Sequence, residues 1–273
     1  MQIKTLVENT TISPEYKHKH GLSFYIETEQ HKILFDLGSD ALFLQNAEKL
    51  KIDITAVDTV VISHGHFDHG GALKLFLKQN NTAKVYVHKK AFDNYRTKVI
   101  GLSLSVGLDS SLKDHEQIIL TEDTVIIDDE LRLFSNVTER ICYPQANQAL
   151  YVKTGTGLQH DPFEHEQNLI ITENSKSTLI AGCAHNGIIN ILNKAELLIG
   201  CELDYAISGF HLFNPAARKY ESDDLVQDLA NRLKVHKTKY FTCHCSGQKA
   251  YGVLKTVLKD QISYLSAGSY VEL

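Results

Sequence analysis

No apolar stretch in this 273-residue sequence is long enough to cross a bilayer, because a spanning helix needs about 20 consecutive apolar residues. The opening residues Met1-Gln2-Ile3-Lys4-Thr5-Leu6-Val7-Glu8-Asn9 hold no apolar core of signal-peptide length. No Pro/Gly/Ser-rich linker or charge block divides the chain, so one domain over residues 1–273 is expected. There is no basic stripe, and a formal net charge of −5 argues against a nucleic-acid partner held by electrostatics. Lys84, Lys89, Lys90, Arg96 and Lys98 lie close together and read as a solvated surface. Cysteines are few and odd in number, five in all: Cys142, Cys183, Cys201, Cys243 and Cys245. Without a scaffold-like spacing they read as reduced thiols that bind no metal, in a cytoplasmic protein. What is present, 43% hydrophobic and 22% charged residues, is ordinary for a globular chain that buries a sizeable core.

The chain alternates strands and helices. Ile3–Val7, Leu22–Thr28 and Lys32–Phe35 are short runs rich in β-branched and aromatic residues, and Thr59-Val60-Val61-Ile62 is continuously apolar, as expected of a strand covered on both faces. Asp40–Leu50 has helical spacing, with Leu42, Phe43, Ala47 and Leu50 on one side. Gly70-Gly71 opens a helix through Ala72–Lys78, and Val85–Val87 is the next strand. Residues 91–116 show no period and read as an insertion near the site, a lid or a homodimer contact. Ile118–Leu120, Thr124–Ile127 and Leu131–Phe134 read as strands of a second half, followed by a hairpin, Leu169–Thr172 with Ser177–Ala181, around Asn174. Helices over Gly187–Leu197, Ser222–Leu233 and Gly247–Val257 then alternate with strands Tyr205–Ser208, Lys239–Thr242, Ile262–Ser266 and Tyr270–Leu273. Two strand-rich halves with helices outside them predict an α/β fold, an αββα sandwich of two mixed sheets.

Four potential ligands stand within six residues in His64-Gly65-His66-Phe67-Asp68-His69, directly after a buried strand. In an extended backbone His64, His66 and Asp68 share a face and His69 points elsewhere, toward a second metal position. Gly65 and Gly70-Gly71 permit a tight backbone. Imidazole and carboxylate donors suit zinc first, with iron and manganese as alternatives.

With its His-x-His-x-Asp-His run at a strand end, the chain resembles the metallo-β-lactamase superfamily, and Phe35-Asp36-Leu37-Gly38 is similar to the family's Asp-containing loop that supports the metal loop. The resemblance implies that His64 and His66 hold a first divalent ion and that Asp68 and His69 hold a second. Histidine at position 66 disfavours a redox di-iron role, since the flavodiiron oxygen reductases of this fold carry Glu there. His185, in Gly182-Cys183-Ala184-His185-Asn186-Gly187, completes the first set by the same resemblance, and His244, in Thr242-Cys243-His244-Cys245-Ser246-Gly247, completes the second. If the backbone is extended there, Cys243 and Cys245 face away from His244. Most dinuclear members carry a bridging Asp where this chain reads Ser208-Gly209-Phe210-His211-Leu212, which leaves one ion or two as alternatives and His211 as either a ligand or an acid. Together with Pro162–Leu169, these segments resemble a branch described as 7,8-dihydropterin-6-methyl-4-(β-D-ribofuranosyl)-aminobenzene-5′-phosphate synthase-like proteins.

The function implied is that of a metallohydrolase. A bound divalent ion lowers the pKa of water from about 15.7 toward roughly 7. Asp68 would orient or deprotonate that water, and His211 would protonate a leaving group or bind an oxyanion. A phosphoester, lactone or cyclic amide fits this machinery, and the partner is a small molecule, phosphorylated or pterin-like. The alternatives are a synthase that condenses a dihydropterin with release of pyrophosphate, and a non-catalytic ligand sensor using the same pocket.

Overall fold

In the computed structural model, which describes residues 1–99, 101–215 and 217–273, alternate residues of single strands enter different cores. Val61 enters an inter-sheet core with Phe24, Phe35, Leu133, Ile180 and Ile207. Its neighbours Val60 and Ile62 enter an outer core with Phe43 and Phe76. On the other side, Leu179 and Ala206 pack under the helices that carry Ile191, Leu229 and Leu254. A strand with apolar residues on both faces must be covered twice, which is why Thr59–Ile62 shows no alternation.

The result is the expected αββα sandwich. One seven-stranded sheet runs in the order Tyr270–Glu272, Gln2–Val7, Ser23–Glu27, Lys32–Phe35, Thr59–Ile62, Lys84–His88, Ile118–Thr121. The other runs Ile262–Tyr264, Lys239–Thr242, Tyr205–Ser208, Lys176–Ile180, Asn168–Glu173, Leu131–Phe134, Thr124–Ile126. Helices Leu42–Lys49 and Leu73–Gln79 cover the first sheet, and Ile188–Ile199, Asp223–Leu233 and Gln248–Leu258 cover the second. Ser222 caps the second of these three, its hydroxyl accepting from the Leu225 N–H at 3.3 Å. Asn174 and Ser175 turn the hairpin with φ of 52° and 60°, the left-handed pair of a two-residue I′ turn. Thr59–Ile62 is parallel to both its neighbours, and so is Tyr205–Ser208 to its own. Their carboxyl ends therefore open on one rim, where ligands bind in layered α/β proteins.

Two segments depart from expectation. Ile118–Thr121 pairs in parallel with Lys84–His88 and so closes the first sheet rather than opening the second half. Residues 91–116 are not irregular: Asn94–Val99 and Leu102–Ser105 form a hairpin in a separate four-stranded sheet with Leu150–Thr154 and Gly157–His160. That sheet lacked a sequence signal because Leu102 and Leu104 face solvent and the partner strand lies some fifty residues away. Position 100 of this insertion lies outside the described residues. Among the described residues no helix is long and apolar enough to cross a membrane, and all five cysteines are free.

A buried amide ties the two halves together. Gln167 Nε2 donates to the Ile62 carbonyl at 2.7 Å and the Tyr86 carbonyl at 3.0 Å, while its Oε1 accepts from the Thr121 hydroxyl at 2.6 Å. Its own peptide N–H donates to Ser63 O at 2.8 Å, beside the histidine run. Gln167→Ala would strand these groups without solvent, and each buried unsatisfied group costs about 1–3 kcal/mol. We expect urea unfolding to show a loss of roughly 2–4 kcal/mol; a loss within 0.5 kcal/mol, the range of ordinary surface substitutions, would remove Gln167 from this role.

Candidate metal centre

The backbone of the histidine run is extended only as far as His66, which has φ −95° and ψ 145°. Phe67–Gly70 then forms one helical turn, so Asp68 does not share a face with His64 and His66 as an extended stretch would require. Asp68 and His69 swing instead toward the second sheet. The turn is wedged in place: a Cβ on Gly65 would lie 2.4 Å from the Ala91 carbonyl, and one on Gly71 would lie 2.4 Å from the Phe67 carbonyl. The insertion clamps it from above, since the Phe67 N–H donates to Val106 O at 2.7 Å and His66 bridges to Gly107.

His64, His66 and His185 come together in one buried group. The ring centroids of His64 and His66 are 4.6 Å apart, those of His66 and His185 5.0 Å, and His64 Nε2 lies 3.3 Å from His185 Nε2. Each of the last two rings is fixed from behind. The Ser63 hydroxyl gives its hydrogen to Asp36 at 2.7 Å, so it accepts from His64 Nδ1 at 2.8 Å. Asn147 donates its amide to the His185 carbonyl at 2.8 Å, which turns its Oδ1 to accept from His185 Nδ1 at 2.9 Å. With the hydrogen on Nδ1 in both, two Nε2 lone pairs face each other at 3.3 Å. Lone pairs at that distance repel unless a cation lies between them, and donors at about 2.0–2.1 Å from a tetrahedral ion are themselves roughly 3.3–3.4 Å apart. Burial first, then the neighbouring imidazoles, holds His64 and His185 well below the ordinary histidine range. Both are therefore neutral and fit to donate to a metal. Phe163 stacks on His185 at 4.4 Å, and Glu166 accepts the His185 peptide N–H at 2.6 Å.

Asp68, His69 and His244 form a second group. Asp68 Oδ2 lies 3.6 Å from His69 Nε2 and 3.4 Å from His244 Nε2. His69 Nδ1 donates to Asp36 Oδ2 at 2.6 Å; the same carboxylate accepts the Ser63 N–H at 2.8 Å. His244 Nδ1 donates to Asn9 Oδ1 at 2.9 Å, while the Asn9 amide donates to the His244 carbonyl at 2.9 Å and Glu8 accepts the His244 N–H at 2.6 Å. Burial disfavours a charge on Asp68, but His69, His20 and His244 outweigh it and hold the carboxyl well below its usual range. Burial likewise pulls His69 down, and the Asp36 and Asp68 carboxylates reverse this and carry it up to about 9. This corner demands a positive charge, from a proton or a metal ion.

Cys243 and Cys245 are not on an extended strand with His244 between them. His244 has φ 46° and the segment tightens into a short 3₁₀ turn, so Cys243 enters the inter-sheet core while Cys245 turns into the site. His211, also left-handed at φ 48°, is 6% exposed, and neither ring nitrogen has a hydrogen-bond partner; its ring lies 4.2 Å from that of His185. The sequence reading missed several groups here. His20 Nε2 lies 3.1 Å from Asp68 Oδ2, and the Cys183 sulfur lies 3.2 Å from His69 Nε2. Asp161 and His165 are 3.0 Å apart beside His66, and His165 Nδ1 accepts the Gly65 N–H at 2.9 Å. No spacing rule would have found His20, Asp161 or His165, because each comes from a segment distant in sequence from the ligand it touches. Cys183 lies two residues before His185 and reads from the sequence only as a reduced thiol. A cleft walled by Thr97, Val106, Ala146, Leu150, Asn214 and Pro215 opens over His66, Asp68, His185, His211 and His244.

Residues 18–141 match the model of the metallo-beta-lactamase superfamily. The chain is 29% identical to the uncharacterized protein MJ0448 of Methanocaldococcus jannaschii, over 91% of each chain. It is 27% identical to the 7,8-dihydropterin-6-methyl-4-(beta-D-ribofuranosyl)-aminobenzene-5'-phosphate synthase of the same organism, covering 100% of this chain and 96% of that one. Among solved structures it resembles Tm1679, described as a metal-dependent hydrolase of the beta-lactamase superfamily, with a TM-score of 0.82 and 27% identity over 100% and 99% of the two chains. Sandwich, histidine run and these full-length likenesses agree, and the chain has the metallo-beta-lactamase fold.

Proposed function

We propose that the chain is a metal-dependent hydrolase of a small phosphoester, lactone or cyclic amide, working in the cytoplasm without a nucleic-acid or membrane partner. The observation that carries this is the pair of opposed, neutral Nε2 atoms of His64 and His185, 3.3 Å apart and each locked from behind. His64, His66 and His185 hold one divalent ion; Asp68, His69 and His244 hold a second. Zinc suits these donors best, with iron and manganese as alternatives. Divalent ions held there would lower the pKa of a water and polarise a carbonyl or phosphoryl oxygen. Asp68, open to the cleft, would orient a water there and would be the group placed to accept its proton. His211 is the acid. Both its ring nitrogens are buried and unpartnered in the wall of the cleft, and its backbone is held by the Cys245 sulfur, which accepts the His211 N–H at 3.3 Å. Thr97, Val106, Ala146 and Leu150 give the substrate a mainly apolar wall.

A second reading rests on the full-length likeness to the dihydropterin synthase. There the same site would hold a phosphorylated pterin-like substrate, and His211 would protonate a departing pyrophosphate. Metal-loaded protein incubated with phosphodiesters, lactones and pterin phosphates separates the readings. Hydrolysis of one of the first two classes supports the hydrolase, and condensation of a pterin phosphate supports the synthase. Tight binding of every class without turnover would leave a sensor and sink both.

Protein purified without chelator should carry one or two equivalents of divalent metal by elemental analysis, with His185→Ala losing one. Unchanged metal in that variant would remove His185 from the ligand set. For His211→Ala we expect metal content to stay and turnover to fall by about 10²–10⁴; a parallel loss of metal would make His211 a ligand. Asp36→Asn keeps an acceptor near His69 but removes the charge, and groups that orient ligands are typically worth 10–100-fold in metal affinity. A chelator competition should show a loss of about that size, and an unaltered affinity would reduce Asp36 to a purely structural role.

A further inference from the structure

One sulfur lies between the two histidine groups. Cys183 Sγ is within 4.8 Å of the ring nitrogens of His64 and His185 on one side, and of His69 and His244 on the other. Its contact with His69 Nε2 is 3.2 Å. The side chain is 3% exposed, so it does not reach the site by chance from a mobile surface. The loop that carries it is pressed against the metal run. A Cβ on Gly182 would lie 2.3 Å from the Ser63 hydroxyl, and Ala184 takes the left-handed φ of 53° that brings Cys183 and His185 into the same cleft.

A second thiol stands behind the first. Cys245 Sγ, His211 and Cys183 also have their donor atoms within 4.8 Å of one another. Yet Cys245 is occupied: its S–H donates to the Cys183 carbonyl at 3.5 Å, and its sulfur accepts the His211 N–H at 3.3 Å. A Cβ on Gly209 would lie 2.5 Å from this sulfur, so the 208–211 loop is packed directly on it. Cys183 has no such backbone partner among the described residues; its sulfur faces the imidazoles. His244 Nε2, aimed into the same space, is buried without a hydrogen-bond partner.

We propose that Cys183 is a metal ligand, its thiolate shared between the ion held by His64, His66 and His185 and the ion held by Asp68, His69 and His244. Cys245 is a positioning residue that ties the 182–185 loop to the 208–211 loop. This rests on the two-ion reading above and revises the sequence-based expectation that no thiol takes part. When the ions bind, the S–H bond of Cys183 breaks, its proton leaves to solvent, and the sulfur lone pairs form the bonds to metal. A soft sulfur among nitrogens also shifts preference toward thiophilic ions, zinc above all, and away from magnesium and calcium.

The test is cobalt(II) substitution of the metal-free full-length protein, read by elemental analysis and by absorption. The wild type should bind two equivalents and show a near-ultraviolet thiolate-to-cobalt charge-transfer band beside the visible ligand-field bands. Cys183→Ser and Cys183→Ala should lose that band, while Cys245→Ser keeps it. The two Cys183 replacements also guard against one of them failing to fold. A wild type that binds two equivalents without the band, or a Cys183 variant that keeps it, overturns the bridging thiolate and leaves the histidine sites standing. Loss of the band in Cys245→Ser with retention in Cys183→Ser would move the ligand to Cys245. A wild type that binds no cobalt overturns the two-ion reading itself.

Discussion

The site depends on where four hydrogens go. His64, His69, His185 and His244 each give Nδ1–H to an acceptor belonging to the scaffold: Ser63, Asp36, Asn147 and Asn9. Once that hydrogen is committed, the neutral His64 and His185 rings present Nε2 lone pairs to the cleft. His69, raised by the Asp36 and Asp68 carboxylates, keeps a proton on Nε2 until a metal replaces it. No rotation of these rings is possible without breaking a buried hydrogen bond. A folded chain built this way holds mutually repelling atoms together. Under the proposed function, metal binding removes that repulsion, so ions that bind only the folded state also stabilise it, in proportion to the logarithm of their concentration over Kd.

The acceptors are available because strands end where they do. Asp36 follows Lys32–Phe35, Ser63 follows Thr59–Ile62, and Glu8 and Asn9 follow Gln2–Val7. Asn147 and Glu166 reach in from the connection that carries the small four-stranded sheet. Several of these junctions are bent into the left-handed region without glycine: Asp36, Phe163, Ala184, His211 and His244 have φ between 46° and 59°. Such residues cost about 1–3 kcal/mol each and persist only where surrounding contacts over-determine them. Asp36 accepts three hydrogen bonds, and Glu8 and Glu166 clamp the peptides of His244 and His185, which offsets that strain.

Asp161 and His165 add a buffer on the outer side of His66. His165 accepts the Gly65 N–H, so its other nitrogen donates to Asp161, whose Oδ2 lies 3.9 Å from His66 Nε2. Burial favours a neutral Asp161, but His165 and His66 outweigh it and hold it well below the usual carboxylate range. A carboxylate there keeps negative charge behind a ring whose own burial pulls it toward neutrality.

Much of the fold was legible before the structure. Apolar continuity in Thr59–Ile62, helical spacing in Leu42–Lys49 and the turn at Asn174 are local consequences of burial and backbone preference, and they appear where expected. The histidine run was equally visible, because an imidazole cluster has no packing rationale, while His185 and His244 were picked out only through the family resemblance. Local pattern misread the direction of Asp68, which depends on a helical turn wedged by Ala91 and Val106, and the fate of Cys243 and Cys245, which depends on the left-handed His244. It was silent on His20, Asp161 and His165, and on the exposed sheet whose strands find each other across some fifty residues, and it set Cys183 aside as a thiol that binds no metal. The amino-acid order alone determined which side chains had to be buried and where the histidine and carboxylate donors stand along the chain. The tertiary structure decided which of them meet and which nitrogen of each ring faces the cleft, since both are set by hydrogen-bond partners that lie close only after the two sheets have packed.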